Sequence, residues 1–221
     1  MPLYKYRFDY SNHQYFDNVY FFFQSFEDYI DRIEKVINEE VGLAKEKLEQ
    51  FQEEIGDNPT WADEVFTFED TLRQKSLLRV IYYDSLILSI YSFIEKQMLF
   101  ACHQLEKDQV IKIKDIAGRG VFKYRTYLEK VIGADFSEVK KDWELLMKFN
   151  KIRNFLVHDD GFRLFSKSNA ELKNCLSFFA QSIQLTDHGD EIGFVFTDTK
   201  ILKDFCTIGS KLVDHFYTEK R

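Results

Sequence analysis

Apolar residues recur at steps of three and four from Phe26 through Ile30, Ile33, Ile37, Val41, Ala44, Leu48 and Phe51 to Ile55, with glutamates and lysines between them. That spacing keeps one face of a helix dry and the opposite face charged, so it predicts a long amphipathic helix with a heptad-like stripe. The run Gly56-Asp57-Asn58-Pro59 should stop it, and Trp61 to Asp70 reads as a short acidic connection. A second long helix is predicted over Leu72 to Leu105 through Leu77, Ile81, Ile87, Ile90, Ile94 and Met98, with no Gly or Pro inside it. Its centre is apolar on most sides, as expected of a core helix. Gly118 and Gly120 then mark a loop before a basic helix, Val121 to Ile132, that ends at Gly133. Asp135 with Glu138 has the spacing of a capping box for a further helix, whose face of Val139, Trp143, Leu145, Phe149, Ile152 and Leu156 runs up to Gly161.

Period-two alternation is confined to the two ends of the chain. Tyr4, Tyr6, Phe8 and Tyr10 alternate with Lys5, Arg7 and Asp9, and an apolar-aromatic stretch from Tyr15 to Phe26 follows. Ser182 to Thr186 and Ile192 to Thr197 flank Asp187-His188-Gly189-Asp190 as a hairpin would, and Lys200 to Tyr217 returns to helical spacing. The pattern therefore predicts a mainly α fold, a helical bundle with a long N-terminal helix and a small β-hairpin or three-stranded sheet.

Composition narrows this picture little. The 221 residues suffice for one main domain, and two prolines with 17% aromatics fit long elements around a bulky core. Cys102, Cys175 and Cys206 are far apart and form no C-x-x-C pair, which argues for buried thiols and against a zinc site or disulfide framework. The apolar stretch Ser85 to Ile94 is too short to span a bilayer, so no membrane segment and a cytoplasmic location are expected.

Charge changes the picture more. The net charge of -7 is unevenly spread: residues 1–70 hold 6 basic and 17 acidic side chains, whereas residues 111–153 hold 11 basic and 6 acidic ones. The chain is accordingly divided into an acidic extension, 1–70, and a main domain, 71–221. The acidic part is expected to lie over the basic segment as a lid or to receive an inhibitor.

The basic segment ends in the run Asn150-Lys151-Ile152-Arg153-Asn154-Phe155-Leu156-Val157-His158-Asp159-Asp160-Gly161. Arginine grips a phosphate as a planar fork and histidine moves protons near neutral pH, which suits metal-free cleavage of an RNA backbone. Asn154 and His158 lie about 40° apart on a helix, whereas Arg153 and His158 are about 140° apart, so one isolated helix does not readily aim both at one phosphate. Glu95, a carboxylate inside an apolar helix, is either surface-facing or a charge partner for an arginine near the site. Asp159 is a supporting carboxylate, and Lys123, Arg125, Lys148 and Lys151 are candidate RNA contacts. No phosphate-binding Gly loop, Ser-His-Asp set or metal signature is present in the sequence.

The Arg153-Asn154-x-x-x-His158 pattern, on a late helix of a helical stretch covering mainly residues 72–217, resembles the ribonuclease members of the HEPN superfamily. In that family an Arg is followed after four to six residues by a His, often with a polar residue directly after the Arg. The resemblance implies a metal-independent endoribonuclease without a cofactor, with Arg153, Asn154 and His158 as its catalytic residues. It also implies a homodimer with a composite site, and a toxin-antitoxin or phage-defence setting with an antitoxin or defence partner. The alternative is a non-catalytic HEPN-like scaffold that binds a nucleotide or partner protein through the heptad helix.

Overall fold

The computed structural model describes residues 12–56, 59–158 and 163–218. Helix α1 spans Asn12–Ile55, and after a 3₁₀ turn at Pro59–Trp61 helix α2 spans Ala62–Leu105. Both start earlier than the sequence pattern predicts. The aromatic stretch from Tyr15 to Phe26 continues the helix, and the acidic stretch before Asp70 forms the first turns of α2, where Asp63 and Glu64 complement the helix dipole. Gly56, at φ 57°, ends α1.

A 3₁₀ turn at Ile113–Asp115 precedes α3, Gly120–Tyr127, which passes into a π-helical turn at Leu128–Ile132. Gly133, at φ 82°, closes that turn, and the Ala134 amide donates to the Leu128 carbonyl at 2.9 Å. Asp135 does not cap the next helix as its spacing with Glu138 suggested. Its carboxylate accepts from the Ser137 amide at 2.8 Å and the Ser137 hydroxyl at 2.7 Å, building a turn, and α4 begins only at Lys140 and runs to His158.

Strand β1 (Leu164–Ser166), helix α5 (Ala170–Phe178), strands β2 (Ile183–His188) and β3 (Glu191–Phe196), and helix α6 (Lys200–Thr218) complete the fold. The antiparallel sheet has the order β1-β3-β2, with Leu164 opposite Gly193 and Ile183 opposite Phe196. The hairpin matches the sequence pattern, but the third strand is β1; Tyr4 to Tyr10 lie outside the described residues. Helix α5 carried no clear periodic signal. It is fixed by Asn169, whose side chain accepts from the Leu172 amide at 3.1 Å.

Compactness divides the chain elsewhere than charge does. One unit combines residues 1–27, 89–151 and 204–221, and the other combines 28–88 and 152–203. In the first, Tyr91, Ile94 and Met98 of α2, Leu146 and Phe149 of α4, and Phe205 and Leu212 of α6 are buried, with the Phe149 and Phe205 rings stacked at 4.0 Å. Helix α6 comes so close there that a Cβ on Gly209 would stand 2.6 Å from Ile94 Cδ1 and 2.8 Å from Phe23 Cε1.

In the second unit Ile30, Tyr83, Ile87, Ile152 and the inward faces of β1 and β3 form the core. Buried Arg163 sits in it at φ 51°, ion-paired with Asp84, donating to the Val80 carbonyl at 3.0 Å, and lying over the Phe194 and Phe196 rings at 5.5 and 4.8 Å. Helix α2 as a whole is long and apolar enough to cross a membrane by length and composition, unlike the short run first noted within it. Its central residues, among them Tyr83, Ile87, Ile90, Ile94 and Met98, are buried in the protein.

Candidate active site

The last two turns of α4 are anchored by Ile152, which is fully buried, and by Phe155, whose ring meets those of Phe165 at 6.0 Å and Phe194 at 5.7 Å. With those residues turned inward, helical spacing sends Asn154 and His158 outward together, and both are exposed. His158 is the last residue of the helix. Half-buried Arg153 does not project away from this face. Its Nη1 donates to Asn154 Oδ1 at 2.8 Å, which ties the guanidinium to an amide one helical turn from the imidazole.

That hydrogen bond changes the geometry expected from the helix alone. The angular gap between Arg153 and His158 is a property of their Cα positions, whereas a long arginine side chain reaches round the helix when something holds its end. Asn154 supplies that hold. Asn154 is thus bonded to Arg153 and shares a helix face with His158, and a guanidinium, an amide and an imidazole are groups suited to an anion with a proton to move. Asp159, Asp160 and Gly161 lie outside the described residues.

The supporting residues fall differently. Lys148 and Lys151 are half-buried on the preceding turns of α4. Glu95, Lys123 and Arg125 belong to the first unit, whereas the trio belongs to the second. Arg125 has local partners in the fold. Its Nε and Nη2 donate to Glu129 Oε1 at 2.9 and 2.7 Å, and its guanidinium lies 4.9 Å from the Phe136 ring and 4.7 Å from the Trp143 ring. These contacts let it brace the entry into α4.

Glu95 also has a local task. It is half-buried, with Oε1 only 2.8 Å from where a Cβ on Gly120 would stand, so its negative charge faces the first residue of α3. Burial, helped by that carboxylate, raises the pKa of the Tyr124 phenol.

Two further features carried no sequence signal. One is the buried Arg163–Asp84 pair described above. The other is a cavity of about 250 Å³ in the first unit between α1 and α6, lined by Tyr20, Phe23, Glu27, Cys206, Ser210 and Lys211 among others. None of the candidate catalytic or RNA-contact residues lines it. Among the described residues no cluster of three His, Cys, Asp or Glu could hold a metal ion.

No family model matches the chain, and neither the curated proteins nor the solved structures contain a match to it.

Proposed function

We propose that this protein is a metal-independent endoribonuclease of the HEPN type, and that Arg153, Asn154 and His158 are its reacting groups. The observation that carries the reading is the Arg153–Asn154 hydrogen bond, which holds the guanidinium beside the exposed helix face that His158 shares. An RNA phosphate seated there would receive donors from Arg153 as negative charge builds on its oxygens. The ribose 2′-oxygen attacks the adjacent phosphorus, the bond to the 5′-oxygen breaks, and histidine takes the 2′-proton or supplies the proton that the leaving oxygen needs. The products are a 2′,3′-cyclic phosphate and a 5′-hydroxyl. A single histidine serves one of these proton transfers at a time, so the reading includes a homodimer in which two copies of the α4 end complete one site. A toxin or defence role with a cognate inhibitor fits such an enzyme.

The test is cleavage of RNA by purified protein in EDTA, comparing wild type with His158→Ala and Arg153→Ala at matched oligomeric state. Each variant should lose at least about 100-fold in rate, and wild-type products should carry cyclic phosphate ends. Equal activity in all three proteins would overturn the assignment.

One observation favours a second reading, a partner-binding scaffold. In the second unit Val36 and Leu43 of α1 and Leu77, Leu78 and Ile81 of α2 are all exposed, with Ile81 61% accessible. Exposed apolar residues grouped on two paired helices mark an interaction surface. Under that reading His158→Ala leaves partner capture intact and RNA is not cut by any of the proteins.

A further inference from the structure

Among the buried polar atoms of the second unit that make no hydrogen bond in the described residues, three lie on the α1–α2 pair: Glu34 Oε2 on α1, and Arg79 Nε and Tyr83 Oη on α2. They belong to one cluster. Arg79 Nε lies 3.6 Å from Glu34 Oε1, Arg79 Nη2 donates to Asn38 Oδ1, and Tyr83 follows Arg79 by one helical turn. Tyr83 is fully buried, with its ring stacked on Phe196 at 5.2 Å and 8°. Burial raises the pKa of its phenol, and the charges of Glu34 and Arg79 act on it next.

A buried polar atom left unpaired is costly, and three at one place form a coherent set of directions. Glu34 Oε2 accepts, Arg79 Nε–H donates, and the Tyr83 hydroxyl does either. A cation at this point would be opposed by Arg79 and an anion by Glu34. A neutral molecule with both donor and acceptor capacity suits all three, and about three hydrogen bonds is the usual complement of an internal water.

We infer that Glu34, Arg79 and Tyr83 enclose a buried water-binding site that joins α1 to α2. The water accepts from Arg79 Nε–H, donates to Glu34 Oε2, and completes its set with the Tyr83 hydroxyl. The cluster is then fully satisfied, and it becomes a specific polar joint between the two helices, in addition to the Lys75–Glu40 ion pair and the Tyr82–Ile30 hydrogen bond.

High-resolution crystal structures of the full-length protein and of Tyr83→Phe provide the test, alongside thermal unfolding of both. The wild-type map should show a water within hydrogen-bond distance of Tyr83 Oη and of Glu34 Oε2 or Arg79 Nε, and Tyr83→Phe should lower Tm by roughly 2–4 °C. The inference is overturned if the three side chains pair directly with no water between them. A rise in Tm for Tyr83→Phe would also overturn it, because that is the result of deleting a dry, unpaired hydroxyl.

Discussion

Arg163 shows how one residue is held by several different forces at once. Its side chain is 6% accessible and its Asp84 partner 29%, so the pair is largely but not wholly out of water. Truncation to alanine removes the ion pair with Asp84, the bond to the Val80 carbonyl and the contact with the two rings, and we expect Arg163→Ala to cost about 3 kcal/mol in urea unfolding. Arg163→Lys should recover only part of this, since an ammonium does not keep the flat stacking over Phe194 and Phe196. None of this is legible in the sequence, because a lone arginine between Phe162 and Leu164 looks the same whether it enters a core or leaves it. The Arg153-Asn154-x-x-x-His158 pattern is legible for the opposite reason. Its residues are neighbours on one helix, and helix geometry alone fixes which of them share a face.

At the scale of elements, length and period predict well and ends predict poorly. The stripes of α1 and α2 are visible in the chain because burial repeats every turn, and the hairpin is visible because β2 and β3 alternate around a glycine turn. The helix starts are missed because they depend on single side chains choosing between a cap and a turn, as Asp135 does in binding Ser137. Close approach is equally invisible. Alanine is a better helix former than glycine by about 1 kcal/mol, so a sequence reading favours Gly209→Ala. The contacts at Ile94 and Phe23 reverse that expectation, and the variant should be destabilised by about 1 kcal/mol or more through overpacking in a filled core. Gly120→Ala should fail more severely, because φ 57° and the Glu95 carboxylate both oppose a side chain there. Circular dichroism melts of the two variants, compared with Gly42→Ala, where space is open, would separate these effects.

At the scale of the molecule, the acidic N-terminal segment does more than carry charge. Val19, Phe23, Ile30 and Ile37 of α1 are buried, so the segment supplies core to the units and carries its glutamates on the outside. Charge patterning reports the solvated faces of a chain and is silent on what lies behind them. Burial also sets the alkaline limit of the fold. Desolvation raises the thiols of Cys102 and Cys206 from 9.0 to about 12, and the Tyr83, Tyr124 and Tyr127 phenols move in the same direction. These acids stay neutral in the folded state at a pH where the unfolded chain ionises them. Their stabilising effect is therefore complete below pH 9 and is lost as pH rises from 9 towards 12. The urea midpoint should be level between pH 7 and 8.5 and fall above pH 9; a midpoint still level at pH 10.5 would contradict this. Both thiols should also resist alkylation in native protein at pH 8 and react once it is unfolded.

The order in which the chain is made runs against the order in which it packs. Phe23, near the start, meets Gly209, near the end, and the second unit is completed only when residue 203 has been added. Helix α1 can pair with α2 once both have been made, but neither unit is complete until the start of α6 has been added. The proposed RNA-cutting site lies in the second unit and would be assembled only after residue 203 has been added.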